Sequence, residues 1–218
     1  YEKISGYSEN RDFPIKNNTS QLSPYLARGE LSVNEIFFSI KKKKNKIKSN
    51  DYTKFTAQLG WREFSYNILY NFPNLSSKNF ISKFDNFPWK KNEANFQKWR
   101  DGNTGFPIVD AGMRELKATG YMHNRLRMIV ASFLVKNLNI SWVFGAKWFW
   151  ENLFDADVAN NFAGWQWVAG CGTDAAPYFR IFNPTLQSTR FDKEGKYIRK
   201  WIPELKDLPS KYIHAPWE

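Results

Sequence analysis

The segment His123-Asn124-Arg125-Leu126-Arg127-Met128-Ile129-Val130-Ala131-Ser132-Phe133-Leu134-Val135-Lys136-Asn137-Leu138 decides the fold class. Leu126, Ile129, Val130, Phe133 and Leu134 recur at helical spacing and form one apolar face. Upstream, Pro107 opens a helix that Gly120 closes, because proline suits the first helical turn and glycine the residue past the end. Glu93 to Arg100 predicts another helix, ended by the Gly102–Gly105 break. Asp51 is expected to cap a long amphipathic helix reaching about Phe72, with Phe55, Leu59, Phe64, Ile68 and Leu69 at helical spacing. Downstream, Gly145–Leu153 and Asp157–Val168 predict two more. Ser23-Pro24 reads as N-cap and first position of a short helix ending at Gly29, followed by a helical Ser32–Ile40. Residues 73–90 are loop-like, and Pro177, Pro184, Pro203, Pro209 and Pro216 make the tail irregular. No strand alternation or internal repeat survives this reading, so the expected fold is all-α, one domain over residues 1–218.

The chain has 218 residues, enough for a sizeable core, and starts at Tyr1, which suggests a piece of a longer protein. Its net charge of +11 favours a polyanionic partner. Six lysines between Lys41 and Lys48 read most simply as a solvated loop. Aromatic residues make up 18% of the chain, with ten tryptophans; their ordinary place is helix packing, but they also stack on bases or planar cofactors and can carry electrons. A single cysteine, Cys171, excludes an intrachain disulfide and fits a reducing compartment. With no secretory signal and no apolar run of spanning length, the expectation is a soluble intracellular, cytoplasmic protein without a membrane. His123, His214 and Cys171 do not form a metal set, so no metal is expected. Gly-x-Gly-x-x-Gly and P-loop patterns are absent, so a nucleotide cofactor would not be held in the Rossmann manner.

Six segments stand out in order: Thr19–Pro24, Trp61-Arg62-Glu63-Phe64, Thr104–Arg114, His123–Met128, Asn160–Trp167 and Gly172–Pro184. Together they resemble the photolyase/cryptochrome family, and more narrowly the class I photolyases acting on cyclobutane pyrimidine dimers. The resemblance runs from about Tyr7 to the C-terminus. It implies a helical FAD-binding domain whose N-terminal α/β antenna domain lies outside this chain, with an antenna chromophore of unknown identity there. It also implies a lyase driven by blue light: reduced anionic FAD donates an electron to a flipped-out dimer, the ring splits and the electron returns. The expected partner is UV-damaged DNA, and the expected state a monomer.

The resemblance assigns roles residue by residue. Thr19, Ser20, Gln21, Leu22 and Ser23 would hold the FAD phosphates, though the same residues suit ordinary helix capping. Tyr7, otherwise a surface tyrosine, and Phe55 would touch the cofactor. Arg127 and Asp155 would pair against the flavin, with Asp157 a further contact and Asn161 facing its N5; alone, the two aspartates read as helix-start acids. Trp165, Trp142 and Trp89 would pass electrons between flavin and surface, where the plain reading is core packing. Trp61 and Trp167 would flank the flipped dimer, with Asn124 and Met128 in the same pocket. Arg125, Arg180, Gln187 and Arg11 would contact DNA phosphates, fixing position rather than sequence.

One position departs from the family pattern. Many dimer photolyases carry glutamate three residues before the Trp61 position, and here stands Gln58. Its amide can donate a hydrogen bond to the thymine edge but cannot deliver a proton. Less efficient repair, repair of the (6-4) photoproduct, or a signalling cryptochrome are the alternatives it raises. A cofactor-free, basic nucleic-acid-binding module is a further one.

Overall fold

The computed structural model describes residues 4–178 and 180–218 and is helical, with no strand among them. Phe179, inside the quoted Gly172–Pro184 segment, lies outside the described residues. Helices run α1 Tyr7–Asn10, α2 Ser23–Ala27, α3 Val33–Lys41, α4 Ser49–Asn71, α5 Glu93–Asp101, α6 Pro107–Thr119, α7 Asn124–Ser132, α8 Trp142–Asn152, α9 Val158–Ala169, α10 Pro184–Phe191 and α11 Lys196–Trp201.

The main core sits where α6, α7, α8 and α9 pack on one another, with α5 and α11 against α6. On α7, Leu126, Ile129 and Val130 are fully buried, each contributing about 1.5–3 kcal/mol relative to exposure. The stretch expected as one helix to Leu138 is α-helical only to Ser132. A π-helical turn, Phe133–Asn137, follows, and it buries three consecutive residues, Phe133, Leu134 and Val135. A second, smaller core joins Tyr7, Ile36, Ile40, Phe55 and Leu59 where α1 and α3 meet α4.

Several local expectations change. Ser23 is the first helical residue of α2, and its N-cap is Leu22 with no side-chain bond. Asp51 does not cap α4, which starts at Ser49; it is buried and accepts the Gly6 and Ser8 amides (2.9 and 2.7 Å), tying α1 to α4. Helix α8 starts at Trp142, capped by Ser141 Oγ, rather than at Gly145. The proline-rich tail contains α10 and α11. Pro184 occupies the first turn of α10 behind an Asn183 cap, and Asp192 accepts the Tyr197 and Ile198 amides at 2.9 Å. Tyr7 is buried rather than at the surface. The Lys41–Lys48 lysines are exposed, with Lys44 over the Tyr52 ring.

Candidate active site

Helix α4 turns two faces to two cavities. Lys54, Gln58, Trp61, Ser65 and Ile68 follow a three-to-four residue spacing and line a cavity of about 720 Å³. Phe55, about 100° round the helix from that stripe, lines one of about 410 Å³. Both volumes are in the range of ligand pockets.

The larger cavity gathers residues from α4, α7 and α9. Gln58, Trp61, Asn124, Met128 and Trp167 all line it, and so do Arg127, Asp155, Asp157, Asn161, Trp165, Arg11 and Arg125. Trp61 is 52% exposed and stands edge-on to Phe64 at 5.8 Å. Phe64, expected on the apolar stripe of α4, is therefore a cavity residue. Trp167 stacks on Phe182 at 6.3 Å, and Arg180 lies over the other partner of that stack, 5.6 Å from the Phe182 ring. Asn124 Nδ2 approaches Met128 Sδ at 3.9 Å. Gln58 is partly buried and makes only a long 3.4 Å bond to the Lys54 carbonyl, so its amide is loosely held.

Two ion pairs, Arg127–Asp155 and Arg62–Asp157, form the polar wall beside α9. Arg127 Nη2 donates to both oxygens of Asp155 (2.9 and 2.8 Å), and its Nε to the Met122 carbonyl at 2.7 Å. Asp155 is thus a buried partner of Arg127 and not a helix-start acid. Asp157 is the N-cap of α9: Oδ1 accepts the Asn160 amide at 2.8 Å. Its Oδ2 accepts from Arg62 Nη2 at 2.8 Å and from the Tyr66 hydroxyl at 2.5 Å. Burial pushes the Asp157 carboxyl up, but the Tyr66 and Asn160 hydrogen bonds and the Arg62 charge outweigh it and hold it below the usual range. Burial and the bond to Asp157 push the Tyr66 hydroxyl up to about 12. Arg62 also donates to the Leu26 carbonyl at 3.0 Å, fixing α2 to the same wall. Asn161 Nδ2 donates one of its two amide hydrogens to the Ala146 carbonyl at 2.9 Å, which fixes the orientation of the amide and leaves Oδ1 to act as an acceptor.

The tryptophans differ in depth. Trp165 is buried edge-on to Phe149 at 4.9 Å and to Trp99 at 6.1 Å. Its indole sits where a Cβ on Gly145 would fall 2.5 Å from Cζ3, so that glycine is required by close approach. Trp142 is 1% exposed, and its Nε1 donates to Asn79 Oδ1 at 2.9 Å. Trp89 is partly buried, 4.4 Å from Phe87.

Other expected residues stand apart from this cavity. Tyr7, Ser20, Leu22 and Phe55 line the smaller one, with Tyr7 edge-on to Phe55 at 5.3 Å. Thr19 hydrogen-bonds Tyr121, whose ring lies 5.5 Å from the Arg127 guanidinium, so this loop reaches the Arg127 end of the site. Gln21 is left-handed (φ 55°), and its Nε2 donates to Asn17 at 3.0 Å; Ser23 begins α2. Trp142, Trp89, Arg180 and Gln187 line neither cavity. Arg125 pairs with Asp12 at 3.0 Å and covers the Phe191 ring at 4.3 Å, so a DNA phosphate would have to share or replace Asp12. Asp12, and the Arg62–Tyr66 clamp, were not anticipated from sequence. The clamp had a signal: two polar residues one helical turn apart beside the Trp61 motif. His123 caps α7 through Nδ1, and burial pulls it down to about 4, which keeps it neutral. No group of three or more possible metal ligands exists among the described residues.

A family profile described as the FAD binding domain of DNA photolyase matches residues 55–218. The chain belongs to this family. It is 54% identical to a deoxyribodipyrimidine photo-lyase of Agrobacterium fabrum over 99% of the chain and 45% of that relative. Among solved structures, a bacterial class III photolyase from Agrobacterium tumefaciens superposes with a TM-score of 0.96 at 53% identity, over 99% of this chain and 45% of that one. A Synechocystis cryptochrome superposes at 0.93 and 40% identity, again over 99% and 45%. The chain therefore spans less than half the length of these photolyase-family relatives. No helix among the described residues is long and apolar enough to cross a membrane.

Proposed function

We propose that the chain is the flavin-holding half of a light-driven enzyme that splits cyclobutane pyrimidine dimers in DNA. The observation carrying this reading is that one cavity of about 720 Å³ unites the dimer-facing residues Gln58, Trp61, Asn124, Met128 and Trp167 with Arg127, Asp155, Asp157 and Asn161. The volume and donor set suit FAD: an arginine nitrogen shared by both oxygens of a buried carboxylate, a second paired carboxylate and an amide acceptor. Bound and reduced, FAD supplies the electron that opens the cyclobutane ring on illumination and takes it back afterwards.

The protein's part is binding, orientation and electrostatics. Arg127 offers the positive charge that an anionic ring favours, while Asp155 keeps the guanidinium in place. Asn161 Oδ1 is suited to accept from a ring N–H of the reduced cofactor. The Thr19–Ser23 loop, with Tyr7 and Phe55 behind it, is assigned to the rest of the cofactor and its phosphates. Trp61 and Trp167 provide apolar faces for an everted lesion, since a dimer inside the duplex cannot reach the site. Arg125, Arg180, Arg11 and Gln187 are assigned to the DNA backbone. Trp165, Trp142 and Trp89, graded from cavity wall to partly exposed, are assigned to reduction of the oxidised cofactor in light.

Gln58 and the similarity to a cryptochrome support a second reading, a blue-light receptor. The two separate in an assay of the full-length protein with oligonucleotides carrying one cyclobutane dimer or one (6-4) photoproduct. The expected result is light-dependent loss of the cyclobutane dimer alone. Flavin photochemistry without repair of either lesion would favour the receptor.

A further inference from the structure

The loop after α9 brings Thr173 and Asp174 into the lining of the large cavity. It is irregular: Gly170 and Asp174 have left-handed backbones (φ 93° and 47°). Part of its path is fixed by backbone bonds, Gly172 N to Gln166 O at 3.1 Å and Ala176 N to Trp167 O at 3.2 Å. Across it stands Lys136, on the π turn after α7. Its Nζ donates to the Ala169 carbonyl at 3.0 Å and to the Tyr178 carbonyl at 2.6 Å, and lies 4.0 Å from the centre of the Tyr178 ring. One ammonium thus joins the two ends of the segment whose middle faces the cavity.

We propose that Lys136 is a positioning residue whose ammonium straps the 169–178 loop shut, holding Thr173 and Asp174 at the cavity wall that receives the damaged strand. The identity of that ligand rests on the repair reading above; the strap itself does not. Lysine fits the task because its long stem carries three donors to a partly buried carbonyl, Ala169, and an exposed one, Tyr178; an apolar replacement would leave the Ala169 acceptor without this donor and the two ends unjoined. Arginine keeps both charge and donors.

The surroundings give the strap a pH signature. Cys171 is the titratable group that acts on Lys136, and Asp85 acts in turn on Cys171. The adjacent Cys171 thiol is pushed up to about 12 by burial and stays uncharged. Burial pulls Lys136 itself down to about 8, so it gives up its charge at mildly alkaline pH. The neutral amine donates more weakly and loses its attraction to the Tyr178 ring.

The test uses the full-length, flavin-loaded protein, with two readouts besides turnover: amide hydrogen exchange across 170–178 without DNA, and dark affinity for an oligonucleotide carrying one cyclobutane dimer. Lys136→Met should speed exchange there and weaken binding roughly tenfold, the scale of one hydrogen bond to a charged group. Lys136→Arg should restore both. Wild-type affinity should fall through a midpoint near 8 that Lys136→Arg lacks. Exchange and affinity unchanged in Lys136→Met would overturn the strap. If that variant fails to fold, parallel pH profiles of wild type and Lys136→Arg would overturn it instead. A wild type with no preference for damaged DNA would sink the repair reading, while the exchange data would still judge the strap.

Discussion

The larger cavity is walled by arginine–aspartate pairs, among them Arg62–Asp157, Arg127–Asp155 and Arg125–Asp12, and by three tryptophans, whereas the smaller is walled mainly by Ile4, Leu22, Leu31, Ile36, Ile40, Tyr7 and Phe55. Both use α1 and α4, so the difference lies in which face of α4 each meets. The apolar face, Phe55 and Leu59, fixes α4 against α1 and α3. That anchoring holds the other face, Gln58 and Trp61, at the polar cavity without asking those residues to bury themselves. The lesson is a division within one helix: an apolar face that packs the small core on one side, and a face held at the large polar cavity on the other.

Breaking a partner on each side should separate these roles. Asp155→Ala leaves Arg127 without its carboxylate and should cost about 3 kcal/mol or more in stability, together with flavin retention. The double change Arg127→Met with Asp155→Leu should recover stability but not flavin, as read by urea denaturation and visible absorbance. Phe55→Ala should cost a similar ~3 kcal/mol by leaving a cavity in the small core, yet leave lesion affinity per bound flavin unchanged. A Phe55→Ala protein of full stability would remove the contrast.

The next effect is smaller and concerns the wall behind the site. Gly145→Ala forces a methyl against the Trp165 indole and Leu134, an overpacking cost of roughly 1–3 kcal/mol. A shifted tryptophan emission and slower photoreduction should accompany it, and an unchanged thermal midpoint would count against the packing argument.

The smallest effect is a pH dependence. The Asp157 carboxyl titrates below its ordinary range in the folded chain, so the unfolded chain binds more protons at mildly acid pH. Its contribution to stability is full above the ordinary carboxylate pKa of about 3.9 and is lost as pH falls through the depressed folded value. Tyr66→Phe removes one donor, and should cost about 1 kcal/mol at neutral pH and flatten this acid dependence in urea titrations.

How much was legible in the sequence follows the range of the interactions. Helices α6, α7 and α9 were readable because their apolar spacing and end residues are local: Pro107 and Gly120 bracket α6, and Asp157 caps α9. Helices α10 and α11 were hidden by prolines and by their shortness, although Asn183-Pro184 was itself a start signal. Trp61, Arg127 and Trp167, which line the large cavity, stood out in the sequence because they sit in short motifs of characteristic order. The Arg62–Asp157 and Arg125–Asp12 pairs were not, since each partner lies far away in the chain, 95 residues for the first. Asp51 misled for the same reason: its local reading as a cap lost to two amides more than 40 residues away.

Repair rate on a single-dimer oligonucleotide under blue light, compared between Trp61→Ala and a variant with the Lys41–Lys48 lysines neutralised, tests the location of the chemistry most directly. Loss of repair in Trp61→Ala with near-normal repair in the lysine variant is the predicted result. Normal repair in Trp61→Ala would contradict the assignment of the large cavity.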